Sequence, residues 1–137
     1  MTAEGPRFVV RATTVGDLLT SAAQEWPAAE VIFPSERVSL PELDRRTDAL
    51  ARSLVAAGAG PGKHVGVLLP PSLDLVATLF AVAKSGATIV PINDRFRGAE
   101  IRYLVSHADL TLLVTTADAE KHKREQLLGP FALHRGP

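Results

Sequence analysis

Residues Val65 to Asp94 read VGVLLPPSLDLVATLFAVAKSGATIVPIND, and this stretch decides the fold. Residues 65–69 form an apolar run, and residues 88–92 form a second run that is rich in β-branched side chains. Between them, residues 73–84 are apolar on nearly every side and follow Ser72, whose hydroxyl can cap a helix. Apolar runs without polar alternation are typical of strands buried on both faces of a parallel sheet. The stretch is therefore predicted to form a strand, a buried helix and a second strand.

A third apolar run, residues 111–115, extends this pattern toward the C-terminus. The three runs centre on Val67, Val90 and Leu113, so the spacing is about 23 residues in both intervals. The second interval holds a candidate helix at residues 98–107 with Ile101, Leu104 and Val105 directed at the sheet. We predict an α/β fold with a parallel three-stranded β-α-β-α-β core.

Two helices and a small hairpin are predicted before this core. The first helix begins at Thr14, where Thr-Val-Gly-Asp has the spacing of a capping box, and it ends before Pro27. Trp26 is interpreted as a core anchor. Residues 31–33 and 37–39 are predicted to pair as an antiparallel hairpin with a three-residue connection.

The second helix is predicted to run from the cap Ser39 to Ala57, with Pro41 in its first turn and Glu42 completing a Ser-x-x-Glu box. Its apolar stripe comprises five residues spaced by three and four: Leu43, Thr47, Leu50, Leu54 and Ala57. Its other side carries four charged residues, which we interpret as a solvated face with an Asp48/Arg52 pair: Asp44, Arg45, Asp48 and Arg52.

The chain length of 137 residues is that of one domain. Residues 1–12 are predicted to be a flexible lead-in, within which Phe8 to Val10 could add an edge strand. Residues 13–128 are predicted to form the folded part, including a last, more polar helix at residues 117–128. Residues 129–137 form an unpatterned tail.

Composition excludes several classes of function. Lys plus Arg equals Asp plus Glu at 15 each, so no basic field attracts nucleic acid. The chain has no cysteine, which removes disulfides, thiol catalysis and thiolate metal sites. The N-terminus lacks a signal pattern, and no apolar run approaches the ~20 residues of a membrane helix. We therefore expect a cytoplasmic protein without a membrane span.

Ligands of open parallel sheets bind beyond the carboxyl ends of the strands. That rule selects three segments: Pro70 to Ser72, Asn93 to Arg95, and Thr115 to Thr116. Asp94 and Arg95 are the best-placed polar residues. Two interpretations stay open: they tie the loop to neighbouring backbone or to each other, or they contact a substrate or another domain.

Other candidate motifs do not predict a site. The glycines of residues 58–62 follow a helix and precede a strand, which is the reverse of a phosphate-binding loop. The four histidines have no metal-ligand spacing, and we expect two of them, His64 and His122, to be solvated; the others are His107 and His134. No G-x-S-x-G or G-x-x-x-x-G-K-[ST] motif is present, and nothing arranges a hydrolase triad.

The order of these segments resembles the N-terminal part of the adenylate-forming (AMP-forming) acyl-CoA synthetase/ligase family. Val38 to Leu43, VSLPEL, resembles its first core motif, an L-T-Y-x-E-L pattern. Residues 83–94, AKSGATIVPIND, resemble the second, L-K-A-G followed by a strand and P-[IL]-[DN]. Leu40 and Pro71 depart from the family residues Tyr and Asn, and neither position is catalytic in the family. The stretch PINDRFRGAEIRYLVSHADLTLLVT is most similar to the fatty or aryl acyl-CoA ligase branch.

The resemblance implies an incomplete N-terminal subdomain of the adenylate-forming fold. Family members adenylate a carboxylate with ATP and magnesium and pass the acyl group to a thiol, usually coenzyme A. The family's phosphate loop, its magnesium-site Thr-Glu pair, its ribose-binding aspartate and its C-terminal lysine have no counterpart in this chain. The resemblance therefore assigns no catalytic, cofactor-binding or metal-binding residue and implies a fragment that does not catalyse alone.

Alternatives to the ligase fragment stay open at this point. A non-enzymatic α/β interaction module, or a subunit of a split ligase, would dock on a partner through an unpaired sheet edge. The partner would be the remainder of the ligase or a second copy of the chain. An independent nucleotide-binding module would bind ATP.

Overall fold

The computed structural model describes residues 12–116 of the chain. Nine helices and strands follow one another in these residues: α1 (Val15–Glu25), β1 (Glu30–Ile32), β2 (Arg37–Ser39), α2 (Leu40–Ala56), β3 (His64–Leu68), α3 (Leu73–Lys84), β4 (Thr88–Pro91), α4 (Gly98–His107) and β5 (Leu110–Thr115). Every element predicted within this range is present, and α3 and α4 have the predicted bounds. The predicted edge strand at residues 8–10, the helix at 117–128 and the tail at 129–137 lie outside the described residues.

The core is a parallel three-stranded sheet, which confirms the α/β prediction. The strand order is β4-β3-β5, so β3 lies in the centre. Val65 of β3 is in register with Ile89 of β4 on one side and with Leu112 of β5 on the other. After β4 ends, the amide of Ile92 donates to the carbonyl of Val67 at 2.9 Å. The carboxyl ends of the β3 and β4 strands are therefore held side by side.

The two crossover helices cover opposite faces of the sheet. On one face, Val65 and Val67 are buried in a cluster that includes Ala81 and Val82 of α3. On the other face, a second cluster joins strand side chains to α4 through six buried residues: Leu68, Ile92, Ile101, Val105, Leu110 and Leu113. Burial on both faces explains why the strand sequences lack polar alternation.

Because Gly66 has no side chain, the leucine side chains of β5 can pack over the centre of β3 on the second face of the sheet. A Cβ atom at this position would lie 2.7 Å from Leu110 Cδ1 and 2.9 Å from Leu113 Cδ1. Leucine side chains of β5 thus occupy the space above the centre of β3 that a side chain at Gly66 would fill. A glycine in a strand interior often marks such a close approach.

A third buried cluster joins the hairpin, α1 and α2 to the outer side of α3. Its buried members are Leu19, Val38, Leu43, Leu73 and Ala77. The helix caps agree with the sequence: Thr14 Oγ1 accepts from the amide of Asp17 at 3.1 Å, and Ser39 Oγ accepts from the amide of Glu42 at 3.3 Å. The α1 and α2 helices therefore form a layer on α3, while α3 itself lies on the sheet.

Two local predictions were wrong. Phe33 and Glu36 exchange two backbone hydrogen bonds, so the hairpin turn consists of Pro34 and Ser35 and not of three residues. Trp26 is only partly buried and belongs to none of the three core clusters of residues 12–116. It occupies the C-cap of α1, where the chain leaves the helix, instead of the buried stripe that Leu19 and Ala23 provide.

Candidate functional site

The three segments selected from the sequence lie at one edge of the sheet, because β3, β4 and β5 are parallel. The loop after β3 leads to α3 on one face, and the neighbouring loop after β4 leads to α4 on the opposite face. In the strand order β4-β3-β5 the direction of the connections reverses between β3 and β5, and such a topological switch point is the usual ligand position in open α/β sheets. The candidate site that the topology defines is therefore centred on residues 69–72 after β3, with the neighbouring strand ends at residues 92–97 and 115–116 on either side.

Ser72 has a structural role at this edge. Its hydroxyl donates to the carbonyl of Pro70 at 2.9 Å and accepts from the amide of Leu75 at 3.2 Å. One free amide of the first turn of α3 is thereby satisfied within the chain. The Ser72 side chain is thus occupied by capping and turn formation.

The loop after β4 is held by Asn93. Its Oδ1 accepts from the amide of Arg95 at 3.0 Å, and its carbonyl accepts from the amide of Phe96 at 3.1 Å. Of the two interpretations of this loop, the tie to neighbouring backbone exists, but Asn93 makes it. Within residues 12–116, the side chains of Asp94 and Arg95 form neither a hydrogen bond nor an ion pair, and Arg95 is exposed.

A polar cluster lies at the other end of α3 and was not predicted as a contact. Lys84 Nζ lies 2.6 Å from Asp44 Oδ1, 2.7 Å from Asp48 Oδ1 and 2.7 Å from Thr47 Oγ1. Thr20 Oγ1 of α1 donates to the same Asp44 Oδ1 at 2.8 Å. The cluster joins α1, α2 and α3 at one point.

The prediction that the charged side of α2 is a solvated face was wrong for Asp44, whose side chain is only 18% exposed. Asp48 is exposed as predicted, but it pairs with Lys84 and not with Arg52. The residue pattern of α2 as an isolated helix does not reveal a partner on α3. Arg45, by contrast, is exposed and pairs with Glu42.

This cluster also connects the two family-like motifs. Asp44 directly follows the VSLPEL stretch, and Lys84 is the lysine of AKSGA. The signal that could have identified it is a lysine at the end of an otherwise apolar, buried helix, since a buried cation needs a partner. Beside the cluster lies an open groove of ≈ 370 Å³ lined by six residues: Asp48, Ala51, Arg52, Val55, Lys84 and Ser85.

His64 is not solvated as expected. Its Nδ1 lies 2.6 Å from the carbonyl of Ala108, so the ring ties the start of β3 to the end of α4. His107 stacks on Tyr103 with ring centroids 4.1 Å apart. Within residues 12–116, no group of three or more His, Asp or Glu side chains could hold a metal ion. His122 and His134 lie outside the described residues.

The electrostatics of the start of α2 predict a pH effect on stability. Hydrogen bonds from Arg45 and Arg46 lower the pKa of the exposed Glu42 carboxyl below its ordinary value. A lowered folded-state pKa contributes stability that is present above the unfolded-state pKa and is lost as pH falls through the folded-state value. We expect Glu42→Gln to lower the thermal midpoint at neutral pH and to approach the wild type as the pH falls through the folded-state pKa of Glu42, where the carboxyl of the wild type becomes protonated and uncharged like the amide of the variant. Thermal unfolding at several pH values checks this. A difference that persists in acid, or is insensitive to salt, would contradict an ionic origin.

None of the helices within residues 12–116 is long and apolar enough to cross a membrane.

Comparison with protein families gives a match over most of the chain. The model of the family described as AMP-binding enzyme matches residues 19–134. Tyrocidine synthase 2 of Brevibacillus parabrevis is 32% identical over 120 residues, which cover 87% of this chain and 3% of the synthase. Acyl-CoA ligase sidI of Aspergillus fumigatus is 30% identical over 129 residues, 90% of this chain and 22% of the ligase. The chain thus spans less than a quarter of either relative.

Solved structures show the same fold. The N-terminal subdomain of Klebsiella oxytoca NpsA superposes with a TM-score of 0.71 at 26% identity, over 76% of this chain and 28% of that one. The N-terminal domain of FACL13 from Mycobacterium tuberculosis superposes with a TM-score of 0.76 over 84% of this chain and 30% of that one. Its identity of 24% makes that likeness one of fold alone.

Proposed function

The chain belongs to the AMP-binding family of adenylate-forming enzymes and corresponds to their N-terminal part, and from this premise we propose that it is the N-terminal scaffold of an acyl-CoA ligase. The complete reaction would join a carboxylic acid to coenzyme A through an acyl-adenylate formed from ATP. The observation that carries the proposal is the joining of the two family-like motifs by the Lys84 cluster, which is structural and not catalytic.

The choice of coenzyme A as acceptor is supported by one class of relative and opposed by another. The acyl-CoA ligase of Aspergillus fumigatus matches 90% of this chain, and residues 91–115 resemble the fatty or aryl acyl-CoA ligase branch. Tyrocidine synthase 2, named as a peptide synthase, matches 87% of it. We favour coenzyme A as the acceptor because of the resemblance of residues 91–115, which begin at the end of β4.

The polar groups of residues 12–116 do not fit ATP with magnesium. Adenylyl transfer depends on positioned positive charge around the phosphates. Lys84, the one lysine held inside the helical layer, is paired with Asp44 and Asp48. The amide of Leu75 in the first turn of α3 already donates to Ser72, and the cations of the candidate site are two exposed arginines of the loop after β4, Arg95 and Arg97. We therefore assign the nucleotide, magnesium and thiol sites to other parts of a complete ligase and derive no step through them.

A chimera tests the scaffold role. Residues 1–137 replace the matching 22% of the Aspergillus fumigatus ligase, and acid-dependent ATP–pyrophosphate exchange and CoA thioester formation are measured. We expect both activities to be retained, because the grafted segment supplies no reacting group. The control chimera carries Leu43→Ala, which removes a fully buried contact and should weaken folding and activity together. A chimera that unfolds cooperatively yet gives no exchange would contradict the proposal.

The alternative of a split ligase predicts a different result. In that case the chain would form a stoichiometric complex with a separately produced remainder and would gain exchange activity only in that mixture. The interaction module without enzymatic function predicts a complex that has no exchange activity. Size-exclusion chromatography of the mixture, with the exchange assay on the eluted complex, separates these two outcomes.

A further inference from the structure

The α3 helix offers few features that could fix its position against its neighbours. Its sequence, LDLVATLFAVAK, has only three polar residues. Asp74 is exposed, Thr78 is 3% exposed, and Lys84 is the only charged side chain of α3 that is held inside the helical layer. The facing stripe of α2 consists mainly of aliphatic side chains. Cores that are correct in hydrophobicity and volume lose uniqueness of packing before they lose stability.

Lys84 supplies the missing directional contacts. An ammonium group has three protons, and Nζ has three acceptors at 2.6–2.7 Å: Asp44 Oδ1, Thr47 Oγ1 and Asp48 Oδ1. The side chains of Lys84 and Asp44 are 10% and 18% exposed. All three acceptors belong to α2, so their positions define both the rotation and the translation of that helix relative to α3.

The sequence of α2 opposes slippage by one turn in either direction. If α2 moved so that Asp48 took the place of Asp44, Ala51 would replace Thr47 and Arg52 would replace Asp48 beside Lys84. A guanidinium would then face the ammonium group. In the opposite slip, Leu40 and Leu43 would replace Asp44 and Thr47, and Asp44 would take the place of Asp48, so one carboxylate and two leucines would surround the ammonium group. Each slip therefore keeps one of the two carboxylates beside Lys84 and loses the other carboxylate and the Thr47 hydroxyl, which is costly for a charge held inside the helical layer.

The first helix is held at the same point. Thr20 Oγ1 donates to Asp44 Oδ1, and α1 passes so close to α3 that a Cβ on Gly16 would lie 3.1 Å from Lys84 Cα. A displacement of α2 would therefore break its contact with α1 as well.

We propose that the contacts of Lys84 with Asp44, Thr47 and Asp48 form a register lock, a conformational device that selects one docking of α1 and α2 on α3. Its main role is to exclude other helix registers, and apolar contacts provide most of the stability of the layer. This role is independent of which acid or acceptor a complete ligase uses.

The test measures helix register directly in the full chain. Because the chain has no cysteine, spin labels can be attached at Ala49→Cys on α2 and Asp74→Cys on α3, both of which are exposed positions. A slip of α2 by one turn changes the distance between labels by up to about 6 Å, at roughly 1.5 Å per residue. Pulsed electron paramagnetic resonance gives this distance as a distribution, and urea denaturation of the unlabelled variants gives stability.

Two variants separate register from stability. Lys84→Met leaves the Asp44 carboxylate poorly compensated, and we expect the folding equilibrium constant to fall roughly 30- to 150-fold. The apolar triple variant, Thr20→Val with Asp44→Leu and Lys84→Met, removes Lys84 together with its least exposed partner Asp44 and leaves two groups that do not need the lysine: Thr47, which donates to the carbonyl of residue 44, and the exposed Asp48. We expect it to recover most of the wild-type urea midpoint and to show two or more label distances where the wild type shows one. Arg45→Met, which removes an exposed ion pair, is the control and should keep the single distance.

Two results would overturn the register lock. One is a triple variant that keeps the single wild-type distance, because apolar packing would then select the register without the lock. The other is a triple variant as unstable as Lys84→Met, because the network would then supply stability itself.

Discussion

Replacing Gly66 with valine is expected to lower the free energy of unfolding by about 3 kcal/mol, and replacing it with alanine by about 1 kcal/mol. A Cβ at this position would lie 2.7 Å from Leu110 Cδ1 and 2.9 Å from Leu113 Cδ1. Alanine costs less because both close contacts are with the ends of flexible leucine side chains, which can move aside. Valine adds two methyl groups and requires a shift of β5 or α4. Urea denaturation followed by circular dichroism measures both values.

The direction of this change in the free energy of unfolding is informative, because the intrinsic strand preferences of valine and glycine predict the opposite change. Valine is favoured in strands, and glycine loses more conformational freedom on folding. At an uncrowded strand position the same substitution would stabilise the protein. Gly60→Ala is the matched control, since no atom lies within 4 Å of its added Cβ, and we expect a change of no more than about 0.5 kcal/mol. A Gly66→Val variant as stable as the wild type would contradict the packing of β5 leucines over β3.

The substitution also tests the strand order. The two leucines reach Gly66 only because β5 lies beside β3, on the side opposite β4. The regular spacing of the three apolar runs predicted three parallel strands and did not predict which strand is central. The strand order depends on whether the chain after α4 places β5 beside β3 or beside β4. A spacing of about 23 residues between strand centres is compatible with both arrangements and so does not determine the order.

The helices were the part of the fold most accurately predicted from sequence. The bounds of α3 and α4 agree with the prediction, and the capping residues Thr14, Ser39 and Ser72 act as predicted. Caps and helix ends are local, since a hydroxyl contacts an amide three residues later along the chain. The sequence therefore contains all the information that the prediction needs.

The polar contacts that join elements could not be predicted in the same way. Asp44 and Lys84 are 40 residues apart, and His64 and Ala108 are 44 apart. The pattern of α2 alone places Asp44 at the flank of the apolar stripe, about 100° from its centre, where a charge is commonly solvated. Only the docking of α1 and α3 on both sides of that position encloses it.

The position of the candidate site at the carboxyl ends of the strands was predicted from the sequence. The individual side-chain contacts within the site were not. The rule for parallel sheets selected the segments after β3, β4 and β5, and the structure places them at one end of the sheet, with β3 between β4 and β5. Within the loop after β4, however, Asn93 makes the contact that had been considered for Asp94. An Asn and an Asp that follow one another have similar turn-forming capacity, so the sequence does not distinguish them.

The central claim is that these residues supply scaffold while the chemistry of adenylation depends on residues elsewhere in a complete enzyme. Acid-dependent exchange of labelled pyrophosphate into ATP by the purified 137-residue chain tests this most directly, with a panel of fatty, aryl and amino acids as substrates. The Aspergillus fumigatus ligase serves as the positive control. We predict exchange at the rate of the reaction without protein and at least roughly 10³-fold below the control, since preorganised charge around the phosphates is the main catalytic contribution. Exchange above that background that depends on one of the acids would contradict the claim.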